Sequence, residues 1–215
     1  MCVPQKSFNI LSINPFDLTY EEESYDSGFP QYESKIFDNK KNQIYEIVTD
    51  TFNDNADFIS DEDIESLTSQ IRELTEVSSN NSIDVISIAR KLGFKIVKTS
   101  FNNENISGKI EINDKEKIIS VNKNESSLRQ RFTIAHELGH AILNNEKNKI
   151  DYRKYDRGYN KAEFQANLFA SSLLMPKESV LKIWASSYSL KLLSKFFEVS
   201  ESAVAIRLIN LGLLS

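Results

Sequence analysis

The sequence predicts an α+β fold that is mainly helical, with a small antiparallel sheet of about three strands near its middle and a helical pair at its C-terminal end. Two observations lead to this prediction. Apolar residues recur at steps of three and four in residues 61–78 and 161–211, which is typical of helices packed on a core. Apolar and polar residues alternate at 108–112 and 117–121, which is typical of half-buried strands. The chain has 215 residues, of which 40% are hydrophobic, so it is long enough to bury a sizeable core.

The overall composition excludes several classes of protein. The net charge is −5 and the pI is about 5.2, which argues against broad, charge-driven binding to nucleic acid. Cys2 is the single cysteine, so no disulfide forms within the chain. The first residues lack the apolar stretch of a secretory signal, and no run of about 18 apolar residues is present that could span a membrane. We therefore expect a soluble, cytoplasmic protein without a membrane partner.

Residues 1–60 differ from the rest of the chain. They contain 11 acidic and 4 basic residues, a net charge of −7, which leaves +2 for the remainder. Periodicity is weak there, apart from a short helix expected at 42–52. We expect an acidic, partly ordered N-terminal extension packed on the main domain. The alternative is a regulatory arm that binds a partner or covers an active site.

Two helices and three strands are expected between this extension and residue 122. The first helix, at 61–78, begins with three acidic residues, which suit the positive end of the helix dipole. The second, at 83–92, stops before Gly93, a residue type favoured just after a helix. The strands are expected at 94–97, 108–112 and 117–121, with a polar hairpin turn at 113–116 between the last two.

The most informative pattern is His-Glu-x-x-His at His136, Glu137 and His140. Residues four apart lie on one face of an α-helix, so the two imidazoles can bind one metal ion together. Glu137 is turned by about 100° from His136 and can approach a reacting water without being a ligand itself. This is the arrangement of zinc metalloproteases, in which the glutamate is the general base. Both histidines of the chain lie in the motif, which strengthens the assignment.

The residues around the motif indicate a buried helix. Ser126 or Ser127 is the expected N-cap. Gly139 costs about 1 kcal/mol inside a helix, so we expect it to permit a close backbone approach beside the metal. The apolar residues that recur at helical spacing are Leu128, Phe132, Ala135, Leu138 and Ile142.

A polar, tyrosine-rich loop at 144–160 is expected to follow. Its tyrosines, Tyr152, Tyr155 and Tyr159, are candidates for donating a hydroxyl to a reaction intermediate, although surface packing is the simpler interpretation of each. A helix at 161–175 should then end at Pro176, which stops a helix. A short helix at 177–188 and a helical pair at 190–197 and 201–211 complete the chain.

A hydrolytic zinc site typically has three protein ligands and one open position, so two histidines leave it incomplete. No third histidine exists, and an acidic residue must complete the site. Glu163 is favoured, because an antiparallel helix after the loop can lay its first turn against the two imidazoles. On the same helix Ala166 is small enough for close approach, and Asn167 can hydrogen-bond a ligand imidazole. The alternative for Glu163 is a solvent-facing charge at a helix N-terminus. The acidic candidates after the motif are Glu146, Asp151, Asp156, Glu163 and Glu178.

Several linked segments resemble the ImmA/IrrE family of metallo-endopeptidases. They are RFTIAHELGH at 131–140, EFQANLFA at 163–170, LLMP at 173–176, a lead-in at 83–94 with Ser107-Gly108 and Val121-Asn122, and C-terminal helices from 193 to 212. The resemblance covers residues 64–215 and leaves residues 1–60 outside.

The resemblance implies a cytosolic, zincin-like peptidase of the gluzincin type, with one Zn²⁺ per chain held by His136, His140 and Glu163. It also implies a protein substrate, namely a transcriptional repressor with a helix-turn-helix domain, encoded in mobile elements or stress operons. Many members have a second Glu where this chain has Gln165.

Three functions are compatible with the sequence. The first is site-specific endoproteolysis of a repressor, with Glu137 as general base. The second is DNA binding by a helix-turn-helix at 192–207. Its second helix has one basic residue, Arg207, whereas a helix that contacts base edges and phosphates normally carries more. The third is a zinc-bound regulator or toxin that acts by binding alone.

The expected domains are the extension at 1–60, a metallopeptidase domain at 61–178, and a C-terminal helical subdomain packed on it at 179–215.

Overall fold

The computed structural model describes residues 59–77, 82–103, 105–113, 115–143 and 161–214, and these ranges form seven helices and one three-stranded sheet. The expected N-terminal extension and its helix at 42–52 lie outside the described residues. The elements, in chain order, are α1 (Asp61–Leu74), α2 (Val85–Lys91), β1 (Phe94–Thr99), β2 (Gly108–Ile112), β3 (Lys117–Asn122), α3 (Ser127–Leu143), α4 (Lys161–Leu174), α5 (Lys177–Ser187), α6 (Leu190–Phe197) and α7 (Glu201–Asn210). The predicted α+β class is therefore confirmed.

The first two helices begin and end at residues whose chemistry suits those positions. Ser60 caps α1, because its Oγ accepts a hydrogen bond from the backbone N–H of Asp63 at 3.1 Å. Asp84 caps α2 in the same way through the N–H of Ser87. Gly93 has φ +82°, a left-handed conformation that glycine adopts without strain, and it turns the chain from α2 into β1.

The sheet corrects one sequence prediction. Its strand order is β1-β3-β2, and β2 pairs antiparallel with β3, whereas β1 pairs parallel with β3. The sheet is thus mixed rather than antiparallel. The reason is that β2, the next strand along the chain after β1, lies at the opposite edge of the sheet and does not pair with β1. The turn at 113–116 then brings β3 between the other two strands, with Ile119 opposite both Ile96 and Ile110.

Helix α3 is the centre of the molecule, because it contacts β2 and β3 as well as α4 and α2. Ser126 is its N-cap, with Oγ accepting from the Arg129 N–H at 3.3 Å. Gly139 faces α4 so closely that an added methyl group would lie 3.1 Å from Ala166 Cα and 3.1 Å from Phe169 Cδ1. The close backbone approach predicted at Gly139 is therefore present, and it joins α3 to α4.

The C-terminal helices are tied to the rest of the fold by two arginines. Arg131 of α3 donates to the backbone carbonyls of Ile83 and Glu198, at 2.8 and 3.3 Å. Arg207 of α7 donates to Ser172 of α4 and pairs with Glu65 of α1. The expected domain boundary at 178–179 falls inside α5 and stays a prediction. No helix in the described ranges is long and apolar enough to cross a membrane.

Candidate metal centre

Helix α3 brings the two histidines of the motif together. His136 and His140 lie one turn apart, and their Nε2 atoms are 3.0 Å from each other. The ring centroids are 4.6 Å apart with the rings nearly perpendicular, at 83°. Both side chains are buried. Two imidazole nitrogens therefore converge on one point, as the four-residue spacing predicts.

Glu163, in the first turn of α4, brings a carboxylate to the same point. Its Oε2 lies 3.3 Å from His136 Nε2, and its Oε1 lies 3.1 Å from His140 Nε2. Within the described ranges these three side chains form a group of donor atoms that could hold a metal ion. The close packing of α3 on α4 at Gly139 and Ala166 positions Glu163, since it fixes the distance between the two helices.

The spacing of the donor atoms fits a tetrahedral metal site. Ligand atoms about 2.1 Å from a tetrahedral ion lie about 3.4 Å from one another, close to the 3.0–3.3 Å between these donors. Both oxygens of Glu163 are buried and lack a hydrogen bond of ordinary geometry among the described residues. A cation would satisfy them. Two imidazoles and one carboxylate leave the fourth position of such an ion open, although donor type alone does not select among zinc, iron, nickel and copper.

Asn167 holds one of the two imidazole rings. Its Oδ1 lies 3.0 Å from His136 Nδ1. A carbonyl oxygen only accepts hydrogen bonds, so Nδ1 of the ring is the donor and Nε2 of the neutral ring presents its lone pair towards His140 and Glu163. Such partners hold metal-ligating imidazoles in the required orientation. The contact expected between Asn167 and an imidazole of the motif is therefore present, with His136.

The charges in the site respond to burial and to one another. Burial lowers the pKa of His136 and favours its neutral form, which is the form that binds a metal. Burial raises the pKa of the Glu163 carboxyl, but the neighbouring His136 and His140 outweigh burial and hold this pKa at about 2. The site thus combines neutral imidazole with an ionised carboxylate.

Glu137 lies beside this group without joining it. Its side chain is 7% exposed, and burial raises its pKa to about 7, against a lowering effect of His140 and a further raising effect of Glu163. A carboxyl that titrates near neutral pH is suited to accept and then release a proton. Among the other candidates that the sequence offered, Glu178 is exposed on α5. The remaining ones lie outside the described residues: Glu146, Asp151, Asp156, Tyr152, Tyr155 and Tyr159.

Two contacts at the site were not expected from the sequence. Gly108, at the start of β2, lies against Glu137 and Thr133 of α3. Gln165, two residues after Glu163, donates from Nε2 to the backbone carbonyl of Ile59 at 3.3 Å. A glycine in a strand leaves no mark on the hydrophobic pattern of the sequence, and a glutamine in a helix is equally compatible with a position that faces the solvent. Neither contact had a signature that could have revealed it.

Comparisons with known proteins agree with this geometry. The chain is similar over 83% of its length to a solved structure of a Mycobacterium tuberculosis transcriptional regulator, with 16% identity and a TM-score of 0.51. It spans about half of that protein, 52%, so the likeness concerns the fold. No curated protein matches the sequence. The model of the Peptidase M78 family, the IrrE N-terminal-like domain, matches residues 89–209, which is more than half of the chain. The chain therefore belongs to the ImmA/IrrE family of peptidases, which implies a metallopeptidase fold and a metal at this centre.

Proposed function

We propose that this protein is a zinc-dependent endopeptidase that cleaves a specific protein, a transcriptional repressor with a helix-turn-helix domain, and thereby derepresses its genes. The observation that carries the proposal is the position of Glu137. A buried carboxyl, whose pKa burial raises to about 7 in the metal-free protein, follows His136 and lies beside three converging donors that would leave the fourth position of a tetrahedral ion open. Such a group is suited to general-base chemistry on a water at that open position.

His136, His140 and Glu163 would hold the ion in this mechanism. Bound zinc supplies a Lewis acid that polarises the scissile carbonyl and makes water a better nucleophile. Glu137 accepts the proton of the attacking water and later delivers it to the leaving amine, so the carboxyl returns to its starting state. Asn167 keeps His136 in the tautomer with a free Nε2 lone pair. Burial of Glu137 and His136 excludes bulk water from these proton transfers.

The substrate class rests on the family. Members that the sequence resembles act on repressors, and a peptidase family implies a protein substrate. The acidic charge of the chain lies in residues 1–60, with a net charge of −7, and it would attract the basic surface of a partner that binds DNA. Electrostatic attraction between the two would favour their encounter.

Direct DNA binding is the less favoured function. The basic residue of the would-be recognition helix α7, Arg207, is 1% exposed and is occupied by contacts inside the fold. The exposed side of α7 presents Glu201, Ile206 and Ile209, which do not match phosphate groups. A recognition helix needs its basic residues at the surface.

The remaining alternative is a metal-bound regulator that acts by binding alone. The substitution Glu137→Gln separates these functions, because the amide has nearly the shape of the carboxylate and cannot accept the proton. We expect the variant to keep its zinc content and its fold, and hydrolysis to fall by about 10²–10⁴-fold. Target-gene induction in cells should be lost. Normal induction with Glu137→Gln would mean that the protein acts by binding.

The substrate is tested separately. Purified protein is incubated with the product of the neighbouring gene, with and without a chelator, and the fragments are analysed by mass spectrometry. We expect one defined cut that the chelator and Glu137→Gln both abolish. Cleavage that survives the chelator would contradict the role of the metal.

A further inference from the structure

The edge strand β2 approaches the motif helix more closely than a side chain allows. Gly108, its first residue, pairs with Val121 of β3 and lies on the sheet face that packs against α3. A methyl group at Gly108 would overlap Thr133 Cγ2 and would lie 3.1 Å from the Ser120 carbonyl oxygen and 3.3 Å from Glu137 Oε1. Strand backbone thus touches two α3 residues that are one turn apart, Thr133 and Glu137.

Space, rather than backbone conformation, explains the glycine. In the described part of the chain the glycines with positive φ are Gly93 and Gly212, so Gly108 has a conformation that any residue can adopt. Thr133 cannot yield to a larger residue, since it is wholly buried. The Ser120 carbonyl belongs to the central strand and is fixed by the sheet. Of the three neighbours, the Glu137 carboxylate has the most freedom to move.

The loop before Gly108 is held in place by other groups. Ser107 Oγ donates to Glu125 Oε1 at 2.7 Å, and the Ser107 carbonyl accepts from the Asn122 N–H at 2.9 Å. Gln130 of α3 donates to the carbonyls of Asn122 and Glu125, at 3.1 and 2.9 Å. These bonds fix the start of β2 against the first turns of α3, so the position of Gly108 beside Glu137 is part of the rigid fold.

We infer that Gly108 is a positioning residue for Glu137. Its backbone forms a wall on the sheet side of the carboxylate, and the missing side chain leaves room for the carboxylate beside His140 and Glu163. Catalytic groups need their rotamers fixed by packing of this kind. The inference rests on the proposed function, because it assigns Gly108 a role in placing the proposed general base.

The test uses the full-length, zinc-loaded protein and acetohydroxamic acid. A hydroxamate chelates zinc and shares its proton with a neighbouring carboxylate, so its affinity reports the position of Glu137 without any turnover. We expect Gly108→Ala to keep its zinc and to bind acetohydroxamate about tenfold more weakly, through loss of a charge-assisted hydrogen bond. The control is Lys109→Ala in the same strand, where the side chain pairs with Glu111 and affinity should be unchanged.

A double-mutant cycle decides whether Gly108 acts through Glu137. If it does, Gly108→Ala has no further effect on acetohydroxamate affinity once Glu137→Gln is present. Wild-type affinity in Gly108→Ala would overturn the inference. A tenfold loss that persists in the Glu137→Gln background would overturn it as well, because Gly108 would then act on the metal or the fold.

A folding defect in Gly108→Ala does not prevent the test. Thr133→Ser removes the methyl group that the new side chain overlaps, and the contact with Glu137 remains. In this background we expect Gly108→Ala to fold and to lose about threefold in affinity for acetohydroxamate. Equal affinities would overturn the inference.

Failure of the proposed function gives a different result. Normal gene induction by Glu137→Gln rejects the peptidase and leaves the cycle interpretable, whereas wild-type protein without zinc rejects both.

Discussion

Removing any one of the three converging donors should abolish tight metal binding. His136→Ala, His140→Ala or Glu163→Ala leaves two ligands, which cannot hold a zinc ion tightly. Elemental analysis of purified wild-type protein should give one zinc per chain, the number that the single donor group in the described ranges can hold, and each variant should lose it. Asp151→Ala and Asp156→Ala are the controls and should retain zinc. Loss of zinc in Asp151→Ala alone would show that the third ligand was assigned wrongly.

The Glu137 carboxyl should make the metal-free protein less stable as the pH rises. Its folded-state pKa is raised to about 7 from an ordinary value of 4.5, so between these values the folded state binds more protons than the unfolded state, and the free energy of unfolding falls with pH. Glu137→Gln does not titrate and should gain up to about 3 kcal/mol over the wild type across this range. Glu163, with its pKa at about 2, titrates below the range and contributes a constant amount.

Urea unfolding in the presence of a chelator between about pH 5 and pH 8 measures this difference. The stability gap between Glu137→Gln and the wild type should widen as the pH rises and level off above the folded-state pKa. A gap that stays constant would mean that the Glu137 environment is not dehydrated in solution.

At the scale of elements, periodicity located the helices and strands well, because each depends on its own sequence. The strand expected at 108–112 and the helix expected at 190–197 begin and end where the structure has them. Helix α1 ends at Leu74, four residues before its expected end. The parallel pairing of β1 with β3 could not be predicted in this way, since it depends on which edge of the sheet β2 takes. Pairing between distant segments leaves no local signal.

The candidate site was predictable for a similar reason. His136 and His140 belong to one helix, where a spacing of four fixes their geometry. Glu163 and Asn167 belong to another helix, and they could be favoured because their own spacing matches a shared face. Gly108 could not be selected, because its importance arises only where β2 meets α3.

The contact between α3 and α4 should tolerate no side chain at Gly139. Gly139→Ala gains about 1 kcal/mol of helix propensity but places a methyl group against the Ala166 backbone, which cannot move aside as a flexible side chain does. Overpacking of this kind costs about 1–3 kcal/mol, so we expect a net loss in the free energy of urea unfolding. Zinc affinity should fall too, because α4 carries Glu163. Higher stability in Gly139→Ala would contradict the packing argument.

At the scale of the whole molecule, Arg207 joins three parts of the chain. Its Nη1 pairs with Glu65 Oε1 of α1 at 2.5 Å, and its Nε and Nη2 both donate to the Met175 carbonyl that follows α4, at 3.1 and 3.0 Å. Ser172 Oγ of α4 accepts from the Arg207 Nη1 at 3.2 Å and donates to Glu65 at 2.9 Å. Apolar residues of α6 and α7 belong to the same buried core as the other helices, so we expect the helical pair to unfold together with the rest of the fold.

Breaking this cluster should destabilise the entire protein. Arg207→Met removes the donor to the Met175 carbonyl and the cation beside Glu65. Since Glu65 is partly exposed and keeps its hydrogen bond from Ser172, we expect a loss near the lower end of the about 3–5 kcal/mol that removing one partner of a buried pair costs. The double variant Arg207→Met, Glu65→Leu removes both charges and should recover most of that loss. Trp184, the single tryptophan, lies in α5, so its fluorescence reports the C-terminal helices while circular dichroism reports the whole fold. For a single unit the two urea transitions coincide in every variant. A tryptophan transition that moves to lower urea alone in Arg207→Met would instead make residues 179–215 an independently unfolding subdomain.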